Sequence, residues 1–376
     1  MKVVFVVDHY NSVTDGTIIT ARRFEEELIR QGHDVTVVSY GVSGKNKFGL
    51  KENKILIVSA IAKKSNVTFA KFDKKIVEEA IRDADVVHLF MPFSAERKTL
   101  KLAKKLKVPV TVAFHVHPDN ILRNIGLKKP PRFLTNFIFW LWRVNFYNKA
   151  GHIHCPSQFI AGELNKRRYK AKKHVISNGV APCFVPAEKS GEARGNDGKF
   201  EILMVGRLAA EKRQDLLIKA VKGSKYKEKI NITFAGSGPR GKKYAKMAEK
   251  LPNKPVFKFF TQRELLEKIH NSDLYIHAAD VEIEGISCIE AFSCGVVPVI
   301  GNAQKSAAKQ FIIDERCSFK AGNAASLREK IEYWIENPAA REEMGAKYSE
   351  YGMQFKLENS VRQALEMFEE EITSNK

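Results

Sequence analysis

Residues 282–300 read EIEGISCIEAFSCGVVPVI, and this order of loop, helix, glycine turn and strand decides the fold class. The short apolar segment Leu274–His277 before it and the segment Val297–Ile300 at its end are typical of buried strands. A strand, a helix and a second strand in this order form a parallel β-α-β unit. The stretch therefore predicts a parallel sheet with helices packed on it.

The start of the helix in this stretch is a candidate anion site. Its first N–H groups, at Gly285, Ile286 and Ser287, have no partner within the helix and can hold a phosphate. Glu282 lies on the preceding loop and Glu290 inside the helix, so both carboxylates are expected near the same helix end. From these residues alone, an ordinary helix start flanked by acids explains the pattern equally well.

Strands alternate with helices in two blocks along the chain. The second block restarts at Glu201–Val205, after residues 186–199, which are rich in Gly and charge and predict a linker. We expect an α/β protein of two doubly wound, Rossmann-like domains, residues 1–185 and 200–350, that face each other across a cleft. Residues 351–376 are expected to form a helix that packs back on the first domain. The predicted strands of the first block are Lys2–Asp8, Val35–Ser39, Ile55–Ile61, Val86–Phe90 and Val108–Phe114.

A basic loop, GRLAAEK at residues 206–212, follows the first strand of the second block. Arg207 and Lys212 can point from this strand end at one pair of phosphates, and a leaving diphosphate needs such a cationic clamp. By itself a surface loop is the simpler interpretation. Its position at the carboxyl end of a strand favours phosphate binding.

The net charge of +20 lies almost entirely in the first half of the chain, since residues 1–190 carry +17 and residues 191–376 carry +3. Such a basic half predicts an anionic partner: nucleic acid, an anionic membrane surface or a phosphorylated substrate. The alternative is that the positive charge only keeps the protein soluble. Basic clusters such as Lys166–Lys170 occur without a nucleic-acid motif or interleaved aromatic residues, so we expect no nucleic-acid partner.

The cysteine pattern and the N-terminus give the expected compartment. Five cysteines are widely scattered without a C-x-x-C pair, which indicates neither a disulfide framework nor a zinc site. The apolar run Val3–Val7 is too short for a signal peptide or a membrane span. We therefore expect a cytoplasmic protein.

Six short motifs resemble those of the retaining glycosyltransferases of the GT-B fold in glycosyltransferase family 4. In chain order they are Gly32–Val35, Pro156–Phe159, Asn178–Val180 with Phe184–Pro186, Gly206–Lys212, Gly236–Pro239, and Glu282 with Glu290 in an E-x7-E pattern. Each motif alone is weak evidence, but the six occur in the family's order over essentially the whole chain. The resemblance implies an acceptor-binding first domain and a nucleotide-sugar-binding second domain.

The resemblance also implies roles for single residues of the second domain. Arg207 and Lys212 would bind the donor diphosphate, and Glu290 would hold the ribose hydroxyls. Glu282 would hold the sugar together with the backbone of Gly285–Ser287.

One residue of this loop departs from the family, which often has an aromatic residue before the loop glycine. Glu284 stands there in this chain. Its carboxylate either contacts sugar hydroxyls or faces solvent.

Two positions of the first domain complete the predicted site. Residues 14–17 (TDGT) join the first strand to the first helix, where Gly16 allows a phosphate or sugar to approach the backbone. Similar enzymes use this loop beside the donor and the acceptor, which makes Gly16 and Thr17 candidate donor-binding residues. His115 follows the predicted strand Val108–Phe114, where related enzymes carry a histidine that touches the donor sugar. A structural histidine is the alternative, and His117 is a weaker candidate.

The activity that the resemblance implies is retaining hexose transfer, with glucose and a UDP-sugar donor expected. The expected catalytic residues are His115, Arg207, Lys212 and Glu282. The D-x-D sequence Asp83–Asp85 precedes a buried strand and is no plausible metal site, so we expect no metal and no cofactor beyond the donor substrate. A sugar-nucleotide-binding protein without catalysis is the alternative, against which the intact motif residues argue.

The segment Leu127–Tyr147, LKKPPRFLTNFIFWLWRVNFY, bears on the acceptor. Its apolar part is too short to span a bilayer, but basic and aromatic residues on one helix suit a membrane interface. Together with the charge of +17 on the first half of the chain, this predicts docking on the inner face of an anionic membrane and a lipid acceptor. The resemblance, which extends to diacylglycerol glucosyltransferases, implies diacylglycerol as such an acceptor. A buried helix of the first domain is the alternative, and a soluble or cell-wall carbohydrate is the alternative acceptor.

Overall fold

A computed structural model describes residues 1–11, 16–53, 68–124, 127, 129–187 and 198–375. The chain divides into two compact units, Met1–Gly179 with Leu357–Lys376, and Val180–Lys356. The predicted strand Ile55–Ile61 and most of the predicted linker 186–199 lie outside the described residues.

The first unit is built on one sheet with the order β4-β3-β2-β1-β5-β6-β7-β8. All neighbouring strands pair parallel except β3 and β4. Val3 of β1 lies opposite Val35 and Val86 on its two neighbours, and all three are fully buried because helices cover both faces. Its strands are β1 (Lys2–Val6), β2 (Asp34–Tyr40), β3 (Lys47–Glu52), β4 (Ala70–Lys71), β5 (Val86–Leu89), β6 (Val110–Ala113), β7 (His152–Cys155) and β8 (Lys172–Val175).

The helices of this unit connect its strands in the alternating pattern of a doubly wound fold. They are α1 (Gly16–Arg30), α2 (Lys74–Ile81), α3 (Ser94–Lys105), α4 (Pro118–Asn124), α5 (Arg132–Asn145) and α6 (Gln158–Lys166). Asp73 caps α2 by accepting from the N–H groups of Lys75 and Ile76, and Ser157 caps α6 by accepting from Ile160.

The second unit is built on a parallel sheet with the order β11-β10-β9-β12-β14-β16, the 3-2-1-4-5-6 order of a Rossmann fold. A small parallel pair, β13 with β15, lies beside it. The strands are β9 (Phe200–Val205), β10 (Ile230–Ala235), β11 (Val256–Lys258), β12 (Leu274–His277), β13 (Val281–Glu282), β14 (Val297–Gly301), β15 (Lys305–Ser306) and β16 (Ser318–Phe319).

The helices of the second unit enclose a core with several fully buried aromatic side chains, among them Tyr244, Tyr275 and Trp334. They are α7 (Gln214–Lys222), α8 (Gly241–Ala248), α9 (Gln262–His270), α10 (Ile286–Ser293), α11 (Ala324–Glu336) and α12 (Pro338–Gly352). Two Rossmann-like α/β units are therefore present, and the predicted class, an α/β protein of two Rossmann-like domains, is confirmed.

The last helix, α13 (Leu357–Ser374), belongs to the first unit although it follows the second in sequence. Five of its side chains lie in the apolar core of the first unit: Leu357, Val361, Ala364, Met367 and Phe368. The two units meet in sequence at Gly179 and Val180, ahead of the predicted end of the first domain at residue 185. Val180 and Phe184 are buried in the core of the second unit, which places this segment there.

Candidate active site

The basic loop 206–212 begins where β9 ends and packs on the glycine turn after β10. Gly236 has a φ of +152°, and a Cβ atom there would lie 2.3 Å from the carbonyl oxygen of Gly206. The Leu208 N–H donates to the Ser237 carbonyl at 2.9 Å. Only glycine fits this close approach, which fixes the loop at the carboxyl edge of the sheet.

The loop after β12 is joined to this basic loop, because β9 and β12 are neighbours in the sheet. The Asp280 N–H donates to the Glu211 carbonyl at 2.8 Å. The Arg213 guanidinium lies 3.2 Å from the Asp280 carboxylate. The Lys212 ammonium donates to Oε2 of Glu282. Lys212 and Glu282, which were predicted to bind the same sugar donor, are thus in direct contact.

His277, the last residue of β12, completes a triad with this ion pair. Its Nε2 lies 3.6 Å from the same Glu282 oxygen. Burial lowers the pKa of His277 to about 4, so its imidazole is neutral near pH 7. Burial acts to raise the pKa of Glu282, but the Lys212 ammonium, with smaller contributions from His277 and the Ile283 N–H, outweighs burial and holds that pKa below its ordinary value. Glu282 is therefore an ionised carboxylate that is only partly exposed.

Sequence reasoning missed His277 as a site residue. The available signal was a polar side chain at the carboxyl end of an otherwise apolar strand, next to the loop that carries Glu282.

Helix α10 starts directly beside this triad. Gly285 caps it with a φ of +110°, and a Cβ atom there would lie 3.3 Å from the Ala308 side chain and 3.5 Å from the His277 ring. Ile286 and Ser287 follow in the first turn, where N–H groups have no helical carbonyl to bond. The Ser287 hydroxyl bonds the Tyr275 hydroxyl at 2.9 Å, which fixes the side chain and leaves the backbone to bind an anion.

The remaining predicted residues of the second unit have distinct surroundings. Arg207 donates to Glu211 of its own loop at 2.7 Å and keeps 35% of its side chain exposed. Glu290 is buried within α10. Glu284 is 1% exposed, so the alternative that it faces solvent is wrong.

The predicted site residues of the first unit follow the carboxyl ends of strands in its own sheet. Gly16 is exposed as the first residue of α1, and Thr17 is buried behind it. His117 is buried and accepts from the Asp119 N–H at 3.1 Å. The residues 14 and 15 of the same predicted loop lie outside the described part of the chain.

His115 is 5% exposed and follows β6, as predicted. Its ring stacks on Phe90 at 5.5 Å and meets the edge of His154 at 5.1 Å. Neither ring nitrogen has a hydrogen-bond partner among the described residues. Burial, followed by the nearby His154 and His88, lowers the pKa of His115 well below its ordinary value, so the ring is neutral and retains an N–H to donate.

Helix α5 accounts for most of the segment 127–147, and its two faces differ. Phe139 and Trp142 are buried, and the Arg167 guanidinium covers the Phe139 ring at 4.0 Å. The opposite face carries four exposed apolar residues, Phe133, Phe137, Trp140 and Val144, which we call the outer stripe. The buried-helix interpretation therefore holds for one face, and the outer stripe is free for contact with another surface.

Among the described residues, no helix combines the length and the hydrophobicity that crossing a bilayer requires.

Comparison with known proteins covers both units. Residues 14–182 match the family model Glycosyltransferase Family 4. Residues 187–352 match the model Glycosyl transferases group 1. The two models together include every predicted donor-site residue of both units.

Individual relatives and solved structures share a low sequence identity with this chain. The α-monoglucosyldiacylglycerol synthase of Streptococcus pneumoniae is 22% identical over 319 residues, which span 80% of this chain and 71% of that protein. The enzyme of the same name from Acholeplasma laidlawii is 24% identical over 321 residues, 80% of each chain. Anabaena HepE, solved in complex with UDP and glucose, shares the fold at a TM-score of 0.72 and 16% identity, over 97% of this chain and 98% of that one. The two family models, supported by the fold and by the motifs at the carboxyl edge of the second sheet, place the chain in glycosyltransferase family 4, with the GT-B fold.

Proposed function

We propose that this enzyme is a retaining, metal-independent glucosyltransferase that moves glucose from UDP-glucose to a hydroxyl of a membrane lipid such as diacylglycerol. The observation that carries the donor half is the Lys212–Glu282 ion pair at the start of α10. It combines a cation, a carboxylate and a helix N-terminus, the three groups that a phosphorylated sugar needs.

The ion pair suggests how the donor is bound. When the diphosphate enters, the Lys212 ammonium turns to its oxygens, and Glu282 is released to accept hydrogen bonds from sugar hydroxyls. Arg207 and the first N–H groups of α10 add positive charge around the phosphates. Glu290, held within α10, accepts from the ribose hydroxyls.

In the transfer step, the bond between sugar C1 and the β-phosphate oxygen breaks, and a bond from C1 to the acceptor oxygen forms on the same face. The acceptor proton passes to the departing phosphate oxygen. Lys212, Arg207 and the helix N-terminus stabilise the charge that develops on the diphosphate, so side chains supply the electrostatic catalysis that a metal gives in other transferases.

His115 supports this proposal from the first unit. A buried, neutral imidazole whose two nitrogens lack partners among the described residues is suited to donate a hydrogen bond to the donor sugar. We propose that Gly16 and Thr17 at the start of α1 offer backbone N–H groups to the same donor.

The outer stripe of α5 carries the acceptor half of the proposal. Four apolar side chains on one helical face, on a half of the chain with a net charge of +17, suit docking on anionic lipid. The relatives named for monoglucosyldiacylglycerol synthesis favour a lipid over a carbohydrate acceptor.

A two-way substrate panel tests the proposal. UDP-glucose, UDP-galactose, UDP-N-acetylglucosamine and GDP-mannose are each offered with diacylglycerol in anionic vesicles, with a sterol in the same vesicles, and with a soluble oligosaccharide. We expect transfer from UDP-glucose to diacylglycerol, an α-linked product by NMR, and full activity in EDTA. Transfer to the oligosaccharide alone would reject the lipid acceptor, and a β-linked product would reject retention. Loss of activity in EDTA while thermal unfolding shows the protein still folded at the assay temperature would reject metal-independent catalysis.

A further inference from the structure

Two histidines and a glutamate of the first unit converge at a place that the transfer reaction does not use. His152 is the first residue of β7, His174 lies on the neighbouring strand β8, and Glu370 lies near the end of α13. His152 Nδ1 lies 2.8 Å from His174 Nε2. Oε2 of Glu370 lies 3.7 Å from His152 Nδ1 and 3.8 Å from His174 Nε2. Three potential ligand atoms therefore surround one point.

The spacing of these atoms matches a divalent metal site. Zinc bonds nitrogen and oxygen ligands at about 2.0–2.1 Å, which puts the ligand atoms of a tetrahedral site about 3.3 Å from one another. The three observed separations, 2.8, 3.7 and 3.8 Å, bracket that value. To reach tetrahedral geometry, the two imidazole rings would move slightly apart and the Glu370 carboxylate would move slightly closer to them.

The surroundings of His152 supply the outer support that metal-bound histidines use. Its second nitrogen, Nε2, lies 3.6 Å from Oε2 of Glu371. Glu371 is itself held in place, because its Oε1 accepts from the Asn375 side chain at 2.8 Å. A carboxylate behind a ligating histidine fixes the tautomer that leaves the other nitrogen free for the metal.

A cation already lies on the carboxylate ligand. Lys172 donates to Oε2 of Glu370, and its side chain is 59% exposed. An exposed lysine can turn to solvent at little cost, so a divalent ion can replace its ammonium on Glu370.

From this geometry we propose that His152, His174 and Glu370 form a zinc-type metal site that fastens α13 to strands β7 and β8, with solvent as the fourth ligand. The bound ion has a structural role, since it links the last helix to the sheet whose core that helix completes. Zinc is the ion of choice because two imidazoles and one carboxylate suit it better than magnesium or calcium, which prefer oxygen ligands.

Metal binding to the purified full-length protein tests this proposal without reference to activity. Titration with Co²⁺ is expected to give the visible absorption of a tetrahedral site, and one equivalent of Zn²⁺ is expected to abolish it. Zn²⁺ at a hundredfold excess over its Kd is expected to raise the Tm of the first unit by about 5 °C. Absence of stoichiometric binding at micromolar metal would overturn the proposal.

Matched variants identify the ligands. His174→Ala and Glu370→Gln are each expected to lower Zn²⁺ affinity at least tenfold and to remove the Tm shift, whereas Glu366→Gln, one turn earlier on α13, is expected to bind like the wild type. Lys172→Met removes the competing ammonium and is expected to bind Zn²⁺ more tightly. Wild-type affinity in Glu370→Gln, a change that leaves the fold intact, would show that the metal binds elsewhere.

Discussion

At the scale of single residues, the Lys212–Glu282 contact is the basis of the proposed donor site. The two side chains come from loops 70 positions apart, yet they share one hydrogen bond at the edge of the second sheet. The exposed fraction of the side chain is 22% for Lys212 and 14% for Glu282, so a ligand can reach both. An ion pair that only stabilised the fold would need no helix N-terminus beside it.

We predict that Lys212→Ala and Glu282→Ala each lower kcat by about 10²–10³, because each removes charge that acts on the leaving diphosphate or on the sugar. Initial rates with UDP-glucose and diacylglycerol vesicles, together with thermal unfolding, measure the effect. Lys222→Ala, an exposed lysine at the end of α7, serves as the control and should keep normal rates. Near-normal activity in either site variant, with a normal Tm, would remove that residue from the proposed site.

His277 gives a pH-dependent stability that can be measured. Its pKa is about 4 in the folded protein, against an ordinary value of 6.5, so between these values the unfolded chain binds a proton that the folded chain does not. The free energy of unfolding should therefore fall as pH is lowered from about 6.5 to about 4, with His277 contributing about 3 kcal/mol.

Comparison of the wild type with His277→Gln isolates this contribution. Urea unfolding between pH 7 and pH 4 measures the free energy of unfolding of both proteins. In the variant, this free energy should fall less steeply with decreasing pH than in the wild type. Lys222→Ala, an exposed change at the end of α7 that removes no group titrating between pH 4 and pH 7, should keep the wild-type slope. Equal slopes in the wild type and His277→Gln would contradict the buried, neutral state of this imidazole.

At the scale of elements, α5 has two different faces, one buried and one exposed and apolar. Its inner residues, Phe139 and Trp142, anchor it to the first unit, while Phe133, Phe137, Trp140 and Val144 recur at helical spacing on the outer face. The exposed side chains range from 44% to 75% accessible, so replacing them should leave folding unchanged.

We predict that the double variant Phe137→Glu/Trp140→Glu binds anionic vesicles at least about tenfold more weakly, because it removes apolar burial and adds negative charge at the interface. Vesicle flotation at low salt measures the binding. Ile29→Glu, at a 52% exposed site on α1, is the matched control and should float like the wild type. Unchanged flotation of the double variant would rule out the outer stripe as the docking face.

At the scale of the whole molecule, the first unit is built from two separate stretches of the chain, with the second unit between them in sequence. The chain leaves the first unit at Gly179 and returns to it at Leu357. Phe368 of α13 is fully buried there, with its ring 5.3 Å from that of His88 on β5. The last helix is therefore part of the first unit's core.

Phe368→Ala is predicted to destabilise the first unit by about 3–5 kcal/mol, the usual cost of emptying a buried phenylalanine site. Hydrogen exchange should show faster exchange in β1 and β5 and unchanged protection in β9 and β12. Glu369→Ala, the exposed neighbour, should leave all four strands unchanged. Loss of protection in both units would show that α13 stabilises more than the first unit alone.

The predictability of the fold followed the hydrophobicity of each strand. The strands β1, β2, β5, β6, β9, β12 and β14 are short, mainly apolar runs and were predicted from the sequence. Strand β7 (HIHC) was missed because its two histidines suggest a surface, although both are buried, and β3 (KFGLKE) was missed because charged residues mark it as a loop. Burial of polar residues depends on neighbours that local sequence does not show.

The fold class, the family motifs and the cationic character of the first half could be predicted from the amino-acid sequence, because none of them requires knowing which distant side chains meet. Tertiary structure decided which charges meet: Lys212 with Glu282, and His152 with residues 22 and 218 positions away. It also decided that Glu284 is buried, that α5 exposes one apolar stripe, and that α13 completes the first unit. These outcomes depend on how distant segments pack, and hydrophobic periodicity does not encode which distant side chains face each other.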